Sequence, residues 1–178
     1  MPFSFPAKLT DCGAHAFDEL SYPGDSIKQE YKEDILVGYR WHDTKKIPAL
    51  FPFGHGLSYT TFTYGKPMAS AKAMAADGML TVTVAVKNTG SIAGKEIVQL
   101  YVGDDKCSVL RPVKELKHFA KVALAPGEEK SVTFTLTPDD LKFYDEASAA
   151  WKYEPGKFKA YVCASSADVR GVVSFEMQ

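Results

Sequence analysis

Among the residues able to do chemistry, the acidic doublets Asp104-Asp105, Asp139-Asp140 and Asp145-Glu146 stand out, with the four histidines His15, His42, His55 and His118. Two carboxyl groups about 5–10 Å apart across a sugar-sized cleft could cut a glycosidic bond. Chain neighbours on a turn point apart, so the doublets read instead as solvated charge. Asp140 also stands three residues after Thr137, with Pro138 between, which is a helix-cap pattern. His42-Asp43 could form an acid/base couple, although ordinary hydrogen bonds at the edge of an arm suit it better. No two histidines lie one helical turn apart, so none forms a helical metal pair. His55 sits between Gly54 and Gly56, where the backbone can approach another surface closely. It reads either as a structural hydrogen-bonding group or as a group beside a ligand.

The rest of the composition narrows the classes. The chain has 178 residues, a net charge of -1, 46% hydrophobic and 24% charged residues. That is globular composition, and the scattered charge excludes a nucleic-acid stripe or a membrane-surface patch. No apolar run approaches the ~18 residues of a membrane helix. Cys12, Cys107 and Cys163 are too few and too scattered for a disulfide framework or a zinc site, so all three are expected as plain thiols. No cofactor or metal is expected. Met1 to Pro6 lacks the features of a secretion signal, and localisation stays open from these residues.

Two sections must position any site. Residues 59–178 are rhythmic. Leu80, Val82, Val84 and Val86 alternate with polar or small residues, as do Val98, Leu100 and Val102, then Val132, Phe134 and Leu136, then Phe158, Ala160 and Val162. Period two with β-branched residues means strands with one buried face. Asp77-Gly78 predicts a hairpin joining Leu80–Val86 to a strand near Ala69 to Ala75. Thr137 to Leu141 predicts a single helical turn, and Phe143–Asp145, Ala150–Tyr153 and Val172–Met177 predict further strands. Short strands at this spacing predict an all-β fold, an immunoglobulin-like or fibronectin type III-like sandwich without an inter-sheet disulfide.

Residues 1–58 lack such a rhythm and hold half of the 10 prolines. They predict an irregular N-terminal arm, with Ile35 to Trp41 as a short strand or extended segment. The arm is rich in aromatics: Tyr31, Tyr39, Trp41, Phe51 and Phe53, with Tyr59 just beyond it. These could form a sugar-stacking platform. The accompanying Ile35, Leu36, Val37, Leu50 and Leu57 favour a dry interface with a neighbouring domain.

Tyr31 to Trp41 (YKEDILVGYRW) and Phe51 to Phe62 (FPFGHGLSYTTF) resemble the carboxyl-terminal region of glycoside hydrolase family 3, which includes bacterial β-glucosidases. Val86 to Gly90, Gly94 to Val102, Arg111 to Leu116, Thr137 to Leu141 and Pro155 to Phe158 extend the resemblance. It implies that residues 1–58 are the edge of, and linker from, an α/β catalytic domain. Residues 59–178 are then a fibronectin type III-like domain. It implies a parent that hydrolyses terminal β-D-glucosyl residues in the bacterial periplasm or outside the cell. The barrel nucleophile and the acid/base residue match nothing here. No catalytic residue is assigned, and the chain alone is expected to be inactive. Its expected role is accessory, stabilising the catalytic domains. Tyr39, Arg40, Trp41, Phe51, Phe53, His55 and Tyr59 are the expected interdomain contacts or active-site rim. An independent carbohydrate-binding or adhesion module is the alternative. Without its partner domains the arm is expected to stay disordered or to self-associate through its aromatics.

Overall fold

A computed structural model describes residues 1–178. In chain order the strands are β1 (Phe5–Pro6), β2 (Ala49–Phe51), β3 (Phe62–Tyr64), β4 (Met68–Ala69), β5 (Ala73–Met74), β6 (Leu80–Asn88) and β7 (Gly94–Asp104). They continue with β8 (Glu115–Leu124), β9 (Glu129–Leu136), β10 (Phe143–Asp145), β11 (Ala150–Lys152), β12 (Gly156–Ser165) and β13 (Asp168–Met177). One α-helix, α1 (Tyr39–Lys45), lies in the arm.

Two sheets face each other. The first has the order β5-β13-β12-β7-β8. In the second, β6 pairs with β9 along one edge and with β3 and β4 along the other. The alternating side chains meet between them in a core cluster of 18 residues, all between Met74 and Met177. This is the sandwich that the period-two pattern predicts. Thr137 and Asp140 form the expected capping box on the single turn Pro138–Leu141.

The expected hairpin before β6 is only partly formed. Met68 and Ala69 pair with Thr83 and Val82, but Ala73–Met74 crosses to the other sheet and runs parallel to β13. The crossing drops Met74 into the core at 1% exposure. Full burial of such a side chain stabilises by roughly 1.5–3 kcal/mol, more than two weak ladder bonds at a sheet edge.

Asn88 joins two motifs that look unrelated in sequence. It is fully buried. Its Oδ1 accepts from Thr60 Oγ1 (2.6 Å) and from the Gly90 amide (3.0 Å). Its Nδ2 donates to the carbonyls of Ile92 (2.8 Å) and Leu124 (3.1 Å). The entry to β3 is thereby pinned to the β6–β7 turn. Replacing Asn88 with Ala strands several buried polar groups, and the expected loss is about 2–3 kcal/mol. Urea unfolding of Asn88→Ala checks this; a midpoint equal to that of the unaltered chain contradicts it.

Candidate interdomain surface and the cavity beside it

The arm is a third layer. It lies on the outer face of the five-stranded sheet and covers the middle of β7. Val98 to Gly103 is therefore buried on both sides rather than alternately. Tyr101 is 0% and Gln99 2% exposed, although both point away from the core.

Helix α1 carries much of this contact and corrects the extended reading of Ile35 to Trp41. Gly38 at φ 61° turns the chain into the helix, and Lys46 in a left-handed conformation ends it. Seven residues make a marginal helix in water, so tertiary contacts hold it. Tyr39 and Asp43 stand one turn apart on the same face, and both reach the sandwich. The Tyr39 ring packs edge-on against Tyr101 (5.5 Å between centroids) and lies tilted against Phe53 (5.2 Å). Its hydroxyl accepts from the Leu116 amide (2.8 Å). Asp43 Oδ2 meets Lys114 Nζ at 2.5 Å. Burial raises the Asp43 carboxyl above its ordinary range despite the Lys114 cation. Thr44 Oγ1 accepts from the Val113 amide (3.1 Å).

The other face of α1 turns into the arm. Trp41 is 6% exposed. Its Nε1 donates to the Asp11 carbonyl (3.1 Å) and its ring meets Phe17. It packs against buried Gly13, a contact that the arm's irregular pattern does not announce, and Leu36 is buried as well. His42 Nδ1 lies 3.0 Å from the Ile47 carbonyl, an ordinary hydrogen bond.

The Phe51–Tyr59 segment is fastened next. Ala49–Phe51 pairs with Phe5–Pro6. The Phe53 carbonyl accepts from the Ser166 amide (2.8 Å). Gly54, at φ 80°, sits directly on Gln99: a Cβ there would come within 2.3 Å of its amide. Gln99 has no room to yield, because its Nε2 donates to the Ala164 carbonyl and its Oε1 accepts from the Tyr101 hydroxyl. His55 is half-buried beside Phe51 (5.5 Å). Tyr59 is 97% exposed. Arg40 pairs with Glu115 at 3.5 Å. The seven expected site residues thus divide. Tyr39, Arg40, Trp41 and Phe53 hold the arm together and onto the sandwich, Phe51 and Tyr59 face outward, and half-buried His55 stands beside Phe51.

The acidic doublets are structural. Asp104 pairs with Arg111, Asp105 with Lys159 and Asp139 with Lys142. Asp145 accepts from Ser148 and Lys152. No three metal-ligating side chains come together. All three cysteines are free, and burial pushes the Cys163 thiol up to about 12. No helix is long and apolar enough to cross a membrane.

Beside the 54–58 loop lies a cavity of about 510 Å³. It opens where β3 of one sheet meets β7 and β13 of the other. Tyr64 donates to Glu96 Oε1 (2.8 Å) across the two sheets. The Arg170 guanidinium lies 5.3 Å from the Tyr64 ring centre and pairs with Asp168 (2.7 Å). Burial, more than any neighbouring charge, raises the pKa of both the Glu96 carboxyl and the Tyr64 hydroxyl above their ordinary values.

A fibronectin type III-like domain model matches residues 96–166. The chain is 66% identical over 176 residues to β-glucosidase BoGH3A of Bacteroides ovatus, covering 99% of this chain and 24% of that protein. It is 49% identical to thermostable β-glucosidase B of Acetivibrio thermocellus, covering 93% and 22%. The fold superposes with a TM-score of 0.88 on the GH3 β-glucosidase of Bifidobacterium adolescentis, at 32% identity over 98% of this chain and 25% of that one. The chain matches the carboxyl-terminal region of glycoside hydrolase family 3 β-glucosidases. It spans about a quarter of the length of those relatives.

Sequence reasoning missed the residues that make this family 3 surface cohere: Gln99, Lys114, Tyr64, Glu96 and Arg170. Gln99 had one signal, a polar residue in mid-strand flanked by Val98 and Leu100. Lys114 had none, since its partner Asp43 lies 71 residues away, and the Tyr64 ring that Arg170 meets belongs to the other sheet.

Glu96 gives a pH test. An acid whose folded pKa is raised binds protons more readily folded than unfolded. Its contribution is fully present below the unfolded carboxylate pKa and is lost as pH rises through the folded value. Glu96→Gln removes that slope. Thermal melts at about pH 4 and about pH 7 should show the variant gaining on the unaltered chain as pH rises; a constant difference contradicts this.

Proposed function

We propose that this chain serves as the non-catalytic carboxyl-terminal part of a β-glucosidase that removes terminal β-D-glucosyl residues. In this reading residues 1–58 are the linker from the α/β catalytic domain, and residues 59–178 are the fibronectin type III-like domain. The arm's outward face packs on the catalytic domains and stabilises them. Phe51, His55 and Tyr59 make contact there, and Tyr39, Arg40, Trp41 and Phe53 shape the surface behind them.

One observation carries the proposal. The arm uses one face on its own sandwich and leaves the other bare. Ile27 is 90%, Tyr31 75%, Val37 62% and Tyr59 97% exposed. Contiguous bare apolar surface marks a contact site, and these side chains are the candidates for it on the arm and just beyond it. The share of the relatives' length that the chain spans supports the same reading, because most of each relative lies outside the matched part.

The test uses the Bacteroides ovatus relative cut before the region matched here. This chain, added in trans, should bind that truncated protein and raise its melting temperature. Tyr31→Asp and Val37→Asp should each weaken binding about tenfold or more. Both should leave the chain's own melting unchanged, since these side chains stand largely in solvent. The chain alone should not turn over an aryl β-glucoside. Absence of binding, or self-association that the same aspartates abolish, contradicts the proposal. So does turnover by the chain alone.

A further inference from the structure

The cavity beside the 54–58 loop suits a hydroxyl-rich guest. Only 5 of its 17 lining residues are hydrophobic, whereas sites for apolar ligands are lined mainly by apolar and aromatic groups. Its volume of about 510 Å³ falls within the usual range for small-molecule sites.

The polar groups are held in place before any guest arrives. Tyr64 steers the Glu96 carboxylate through a 2.8 Å hydrogen bond. Asp168 and the Tyr64 ring steer the Arg170 guanidinium. Each keeps hydrogen-bonding capacity to spare, because a carboxylate has about four acceptor positions and a guanidinium about five N–H donors. Planar forks of both kinds suit neighbouring hydroxyls: the carboxylate accepts two O–H bonds and the guanidinium donates two N–H bonds. Lys95 and Lys121 line the same space, and neither is in an ion pair. The lining carries carboxylates and cations together. With Lys95, Lys121 and Arg170 against Glu96 and Asp168, an anion meets repulsion as well as attraction, and an apolar guest leaves all of these groups unsatisfied.

We propose that this cavity binds a short saccharide of one or two pyranose rings, with paired ring hydroxyls on Glu96 and Arg170 and further hydroxyls on Lys95 and Lys121. The site does not depend on the accessory role, since every group belongs to this chain.

Calorimetric titration of the 178-residue chain with glucose and with cellobiose tests it. Saturable binding in the millimolar range is expected. Arg170→Ala and Glu96→Ala should each weaken it about tenfold or more, with circular dichroism melts verifying that both variants fold. Trp151→Ala, on the exposed β10–β11 hairpin, should leave binding unchanged. Absence of saturable binding for both sugars overturns the proposal. Binding that survives Arg170→Ala and Glu96→Ala overturns it too, and loss in Trp151→Ala instead places the sugar on the hairpin.

Discussion

Strand β7 has no bare face between Val98 and Gly103. Its core side is filled by Val98, Leu100 and Val102, as any sandwich requires. Its outer side is filled by Tyr39, Phe53 and Gly54 packing on Tyr101 and Gln99. This second burial is what makes the arm part of the body. It holds a seven-residue helix that would be marginal alone, and it holds the Phe51–Tyr59 segment in one orientation. A glycine is needed at position 54, where both the positive φ and the Gln99 amide exclude a side chain.

Most polar groups in that contact are matched, although Arg40 Nε and the Ser166 hydroxyl are buried without a partner. Tyr39, Thr44 and Asp43 each meet a group between Val113 and Leu116. The Asp43–Lys114 pair is weak support for stability by itself, because desolvation offsets most of its attraction. It does fix which way the helix faces. With Tyr39 and Asp43 committed to the sandwich and Trp41 to the arm's own core, Ile27, Tyr31 and Val37 are left exposed. The accessory role proposed for this region of the β-glucosidases follows from that division.

The sandwich was legible in the sequence because its signal is local. Alternation in Leu80–Val86 or Phe158–Val162 states which side is buried without knowing the partner. The Thr137 cap is equally local. The arm was not legible in detail. Its helix follows Ile35-Leu36-Val37, which reads as strand, and it forms because Tyr39 and Asp43 find partners more than 60 residues away. Phe51 to Tyr59 was recognisable as a surface segment, yet nothing in its pattern shows that Phe53 and Gly54 turn inward while Tyr59 turns out. The cavity was invisible for the same reason: Tyr64, Glu96 and Arg170 come from three strands in two sheets. The structure differs from the expected detached arm because Leu36 and Trp41 are buried and Tyr39 and Phe53 pack on this chain, while most of the arm's large apolar side chains stay exposed.

The central claim is that the arm has two sides, one spent on β7 and one bare. Oxidative footprinting of the intact chain, read by mass spectrometry, measures this directly. The account predicts rapid labelling of Tyr31 and Tyr59, and protection of Tyr39, Trp41 and Phe53 that persists until the sandwich itself unfolds. Equal labelling of both groups would mean that the arm is loose and that β7 is covered only once.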